Sequence, residues 1–114
     1  MTLTAKDTNH KWIKVAETEA DIAFNTKGFA EADLGIRKVC LVKVGDQIKA
    51  CSSLCPHAGA SLLKNGSLDQ QGNITCCVHN YSYNINSGRD RLNEGYYLKI
   101  FPVLQNEEGI FVGL

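Results

Sequence analysis

The sequence predicts an all-β protein built from antiparallel sheets, interrupted by one long irregular insertion. Three observations carry that expectation. Apolar, β-branched and aromatic runs stand near both ends, a Gly-Asp turn signal divides a third such run, and the stretch from Cys51 to Gly88 is rich in Ser, Asn, Gly and Cys. The first of the runs is KWIKVAE, starting at Lys11, where Trp12, Ile13 and Val15 are interleaved with lysine in the short period of a half-buried strand. Residues 16–35 mix Ala, Glu and Asp with Gly28 and Gly35 as breakers, leaving room for at most one short helix. From Ile36 the runs IRKVCLVKV and IKAC flank Gly45-Asp46, which predicts a hairpin. The Cys51–Gly88 segment has loop chemistry but is too long to be a mere connection, and loops of that length are usually functional. Beyond it, YYLKIFPVL and GIFVGL are separated by QNEEG and predict a second hairpin. Pro102 should lie at a sheet edge or bulge, because it has no N–H to donate to a ladder.

The chain of 114 residues, 44% hydrophobic and 21% charged, has the size of one domain, so residues 1–114 are expected to form a single unit with one core. Twelve Lys and Arg balance twelve Asp and Glu. That balance argues against nucleic-acid binding through phosphate neutralisation and against a polybasic membrane anchor. No apolar run approaches the ~20 residues that cross a bilayer, and the start, MTLTAKDTNHKW, does not read as an export signal. Five cysteines, at 40, 51, 55, 76 and 77, are an odd number, which no fully paired disulfide framework within one chain accommodates. A reducing, cytoplasmic setting is expected, with the clustered cysteines serving as metal ligands or redox groups.

The chemistry concentrates in two short segments. Cys55-Pro56-His57 is followed, after eighteen residues, by Cys76-Cys77-Val78-His79. Each segment offers one thiolate and one imidazole, and nearby Pro and Gly allow tight turns that aim ligands inward. In that order, between β-hairpins, Cys55, His57, Cys76 and His79 match the ligand pattern of centres in which two His replace two Cys on one iron of a [2Fe–2S] cluster. Two Cys and two His also complete a tetrahedral zinc shell, but zinc fingers usually pair like with like. A catalytic Cys–His dyad is a further alternative, though no acid partner or Gly-rich oxyanion loop accompanies it.

With these motifs the sequence resembles the small Rieske ferredoxins over nearly its whole length. CPHAGASL looks like that family's first cluster loop and CCVHNYSYNINSGR like its second, while KWIKVAE and LKIFPV resemble its opening and closing strands. The resemblance implies a Rieske-like fold in which residues of about 51–61 and 74–85 form a cluster-binding subdomain at the tip of antiparallel sheets. It also implies one [2Fe–2S] cluster bound by Cys55, His57, Cys76 and His79, with the His-bound iron outermost. Three departures stand out. Asn80 replaces the Gly that usually follows the second ligand His, Cys77 replaces a Pro, and RDRLNEG at Arg89–Gly95 stands where Pro-rich sequence often covers the cluster. Asn tolerates left-handed geometry best among residues with a side chain, so the turn at Asn80 is expected to survive.

High-potential members of the family have a bridging Cys in each loop, and the matching positions here are Ala60 and Val78. Of the Ser and Tyr that donate hydrogen bonds near the cluster in those members, the matching positions are Tyr81 and Tyr83, and only Tyr83 keeps its type. Tyr83 is therefore expected as a hydrogen-bond donor behind the ligands, and a potential toward the lower part of the Rieske range follows. Two thiolates and two neutral imidazoles leave the oxidised site near neutral, which favours electron uptake over an all-Cys site.

The remaining candidates have plainer readings. Cys40 and Cys51 read as packed side chains, Cys77 as a substitution for Pro and His10 as a surface residue. Tyr81, Tyr96 and Tyr97 read as core or rim packing, and Arg89, Asp90 and Arg91 as a solvated charged turn. Functionally, the chain is expected to be a one-electron carrier between a reductase and a terminal oxidoreductase, with an aromatic-ring dioxygenase the commonest setting. It is not expected to be an enzyme itself. After His57 and His79 only His10 remains, too few for the mononuclear iron of a full-length oxygenase. The alternatives are a Rieske-like small subunit of a larger redox enzyme, of the nitrite reductase type, and a structural zinc module.

Overall fold

A computed structural model describes residues 11–57, 59–69, 71–78 and 80–114, so that His10 and His79 lie outside the described residues. Among the described residues, ten strands, a 3-10 turn over Glu19–Asp21 and one four-residue helix follow one another. The opening run forms β1 (Trp12–Ala16), and the closing runs give β9 (Val103–Asn106) and β10 (Gly109–Gly113). These pair antiparallel in the order β1-β10-β9. Both chain ends of the described fold thus meet in one sheet.

The hairpin around Gly45-Asp46 becomes β3 (Lys38–Val44) and β4 (Gln47–Ser52), with Val44 opposite Gln47 and Gly45 at φ 61°. Two further strands flank it. β2 (Phe29–Asp33) pairs with β3, and β8 (Ile100–Phe101) pairs with β4, giving the order β2-β3-β4-β8. β2 is a strand within the stretch expected to hold at most a short helix. Its sequence FAEAD has little β propensity, and pairing with the Val-rich β3 supplies what local preference lacks. Pro102 separates β8 from β9, so the predicted YYLKIFPVL strand divides between two sheets at the residue that cannot donate to either ladder.

The Cys51–Gly88 segment is more regular than its composition suggested. It contains α1 (Leu62–Asn65), β5 (Gly66–Leu68), β6 (Asn73–Cys76) and β7 (Tyr81–Asn84), and the three strands form an antiparallel sheet of their own. Short polar strands such as NITC and YSYN pair through the backbone. Thr75 and Ser82 add a side-chain hydrogen bond of 2.7 Å across β6 and β7.

The buried side chains gather into two clusters, one on each face of the β2-β3-β4-β8 sheet. On β3, Val39 and Leu41 face one cluster, with Ile110 and Val112 of β10, while Cys40 and Val42 face the other, with Leu62, Ile74 and Tyr83. The alternation of a strand places successive residues on opposite sides, so one hairpin serves both clusters. Cys40 and Cys51 stand directly opposite each other in the β3–β4 register and are fully buried on the face toward the small sheet. The hydrogen bond that the Cys51 thiol donates to Cys40, together with burial, pushes the Cys51 thiol far above its ordinary range. Both serve as packing, as expected.

Candidate metal centre

The first of the two segments is a tight loop closed on itself. The Cys55 amide donates to the Ala60 carbonyl at 2.8 Å, the Gly59 amide donates to the Cys55 carbonyl at 2.7 Å, and Leu54 and Ser61 form a bridge across its mouth. Gly59 takes φ 69°, a conformation that opens the turn at little steric cost. The second segment leaves β6 at Cys76 and returns in β7 at Tyr81. Its Cys77 amide donates to the Asn65 carbonyl at the end of α1, which ties the two segments together. Asn80 holds φ 57°, the left-handed geometry that the usual Gly would supply.

These turns bring Cys55 and Cys76 together in the buried cluster beneath the loops. Burial pushes the Cys76 thiol up, a Val78 backbone amide works against that, and the adjacent Cys55 thiol raises it further. The Cys76 thiol thus keeps its proton until a cation replaces it, so metal binding here releases that proton. The Tyr83 hydroxyl lies 3.2 Å from the Cys55 sulfur, in the position expected of a donor behind the ligands. Burial and the neighbouring Cys55 keep the Tyr83 phenol above its ordinary range. Among the described residues no three His, Cys, Asp or Glu side chains converge on one point, so Cys55 and Cys76 stand as a pair.

His57 occupies the rim. Its ring stacks on Tyr81, with centroids 3.8 Å apart and planes 13° from parallel, and meets Tyr96 edge-on at 5.1 Å. Its Nδ1 is buried and has no hydrogen-bond partner among the described residues, an atom suited to hold a metal. Cys77 is exposed, and its side chain takes no place in the buried sulfur pair.

Of four further residues at the site, the sequence marks Tyr81 and Tyr96 only as core or rim packing, Asp90 only as part of a solvated turn, and Glu94 not individually. Tyr81 and Tyr96 enclose the His57 ring, and the Tyr81 hydroxyl donates to Glu94 at 2.5 Å. That bond to Glu94 pushes the Tyr81 phenol up to about 12. Asp90, expected in a solvated turn, is 2% exposed. Its carboxylate accepts the backbone amides of Glu94 at 3.0 Å and of Tyr96 at 2.8 Å. The charged triplet gives no hint of this, since the partners are backbone groups that any sequence possesses.

A family model described as the Rieske [2Fe-2S] domain matches residues 11–101. The chain belongs to that family. Its cofactor is therefore one [2Fe–2S] cluster, and the residues present fit it: a buried pair of thiols on one side, an imidazole whose buried Nδ1 has no hydrogen-bond partner among the described residues on the other, and a second imidazole in the sequence at position 79. Among relatives of this Rieske protein is the ferredoxin component of an alkene monooxygenase system of Xanthobacter autotrophicus (strain ATCC BAA-1158 / Py2). It is 27% identical over 81 residues, and the match covers 71% of this chain and 66% of that ferredoxin. The ferredoxin of carbazole 1,9a-dioxygenase, solved in complex with its oxygenase, superposes with a TM-score of 0.71 at 27% identity, covering 90% of this chain and 92% of that one. A protein assigned as the small subunit of an NADH-dependent nitrite reductase of Mycobacterium tuberculosis shares the fold, with a TM-score of 0.76 at 14% identity over 92% of this chain and 96% of that one. Among the described residues no helix is long and apolar enough to cross a membrane.

Proposed function

We propose that this protein is a one-electron carrier that takes electrons from a reductase and delivers them to a terminal oxidoreductase, such as a mono- or dioxygenase. Its cluster ligands are Cys55, His57, Cys76 and His79. The observation that carries the reading is the joining of a buried Cys55–Cys76 pair, backed by Tyr83, to a rim imidazole at His57. When bound, the cluster supplies a single reversible electron. The chain supplies the rest: Cys55 and Cys76 lie under the loops, away from water, and His57 lies nearer the surface, which gives a short exit toward a docked partner. Similarity to two ferredoxins of oxygenase systems favours an oxygenase as acceptor. Residues 1–114 act as one unit in this reading. All five cysteines are unbridged, in keeping with a cytoplasmic setting.

The test is anaerobic purification with measurement of iron and zinc, then visible and reduced-state EPR spectra. A red-brown protein with two irons per chain and the EPR signal of mixed His/Cys ligation is expected. A colourless protein with stoichiometric zinc overturns the proposal in favour of a structural zinc module. Copurification with a haem or flavin enzyme in fixed ratio overturns the mobile carrier in favour of the small-subunit role.

A further inference from the structure

We propose that the segment Asp90–Tyr96 works with Tyr81 as a clamp that fixes the orientation of the His57 ring, making Tyr81, Glu94 and Tyr96 positioning residues for the outer iron. This rests on the reading of His57 as a ligand. The clamp has its own foundation. The Asp90 carboxylate is buried and gathers the amides of Glu94 and Tyr96, Asn93 turns the chain at φ 57°, and the Asp90 amide donates to the Tyr96 carbonyl at 3.2 Å. Asp90 also bridges to Tyr83 on β7, the strand that begins with Tyr81. The loop is thus folded about one carboxylate and fastened to the sheet behind the sulfur pair.

From that base the loop reaches the imidazole twice. Tyr96 meets the edge of the His57 ring, and Glu94 accepts the hydroxyl of Tyr81, whose ring covers the His57 face. The Tyr81 and Tyr96 planes are 89° apart, so the imidazole is confined in two perpendicular directions. A free imidazole turns about the bond to its ring, and each wrong orientation aims its lone pair away from the metal. Groups that orient a ligand in this way contribute strongly to metal retention. The hydrogen bond matters because a phenol tethered at its far end cannot swing off the ring it covers.

The experiment uses the cluster-loaded full chain and two readouts, the g-values of the reduced EPR signal and the rate of iron loss to EDTA. Tyr81→Leu is expected to lose iron about tenfold faster and to shift the g-values. Tyr81→Phe and Glu94→Ala, which keep the stacked ring but cut its tether, should each give a smaller and equal effect. The double variant should be no worse than either alone, since both cut the same bond. Tyr97→Ala removes an exposed neighbouring ring outside the clamp and should match the wild type. Wild-type g-values and iron-loss rates in Tyr81→Leu and Glu94→Ala overturn the clamp while leaving the cluster assignment standing. An equal effect from Tyr97→Ala overturns it too, because the loss is then general loosening. Wild-type protein that binds no iron overturns the ligand assignment and the clamp together.

Discussion

In the proposed site, the Tyr83 phenol is the residue through which the buried side would be tuned. A Cys55 bound to iron has no proton, so in the contact at 3.2 Å the hydroxyl must be the donor. That bond favours the reduced site, which carries more negative charge on its sulfurs. Tyr83→Phe is therefore expected to lower the reduction potential, and a redox titration that leaves it unchanged contradicts the assignment. The Tyr81 hydroxyl is spent on Glu94, which leaves the sulfurs one donor fewer than in the high-potential pattern. Tyr83 was legible in the sequence because its place relative to His79 follows a motif. Asp90 was not, because its burial depends on where loop amides fall in space. Those amides outweigh the cost of burying Asp90 and hold its carboxyl below the ordinary range. Asp69 is held low as well, first by the Asn73 side chain at 2.8 Å. A depressed folded value means stability that is present above the unfolded value of 3.8 and is lost as pH falls through the folded one. Denaturant midpoints should thus fall below about pH 4, and Asp90→Asn should flatten that dependence.

At the scale of elements, the small β5-β6-β7 sheet is the part that composition concealed. The β3–β4 hairpin announces itself through Val39, Leu41, Val42 and the Gly45-Asp46 turn, whereas Gly66–Leu68, Asn73–Cys76 and Tyr81–Asn84 are short and polar. Their order comes from packing Ile74 and Tyr83 of this sheet into one buried cluster with Leu62, Phe29 and Val42, the last two distant in sequence. Leu62 is fully buried directly after the first loop, so Leu62→Ala should cost about 2–5 kcal/mol in chemical denaturation. The turn after β7 is equally specific. Gly88 has φ 77°, and a Cβ there would lie 2.0 Å from the Leu98 carbonyl oxygen. Gly88→Ala should destabilise the fold by at least about 1–3 kcal/mol, the strain of the backbone angle alone. A thermal melt with an unshifted midpoint would contradict that reading. Pro102 and β2 mark opposite ends of legibility: the missing donor of a proline is visible in any sequence, while FAEAD becomes a strand only because β3 lies beside it.

For the molecule as a whole, charge and burial set the working range. A site of two thiolates and two neutral imidazoles takes up an electron more easily than an all-Cys site, yet Ala60 and Val78 provide no bridging disulfide and the Tyr81 hydroxyl is turned to Glu94. The potential is expected in the lower part of the Rieske range, and a titration giving about +300 mV contradicts this. Ferric iron draws charge from an imidazole ligand, so the ring N–H ionises more easily in the oxidised protein and reduction at high pH carries a proton. Voltammetry across pH should show the potential falling in alkaline solution. A flat profile into strongly alkaline conditions contradicts ligation by histidine.

The sheet that separates the two buried clusters has one more consequence, for the exchange of its amide hydrogens with solvent. β3 is paired on both edges, with β2 and β4, and covered on both faces. No local opening exposes its N–H groups, so they exchange with deuterium only when the whole chain opens. Iron held by the loops stabilises that closed state by mass action. The slowest amides of β3 therefore register the loading of a site that none of them touches, and stripping the metal should quicken their exchange as much on the Val39 side as on the Cys40 side.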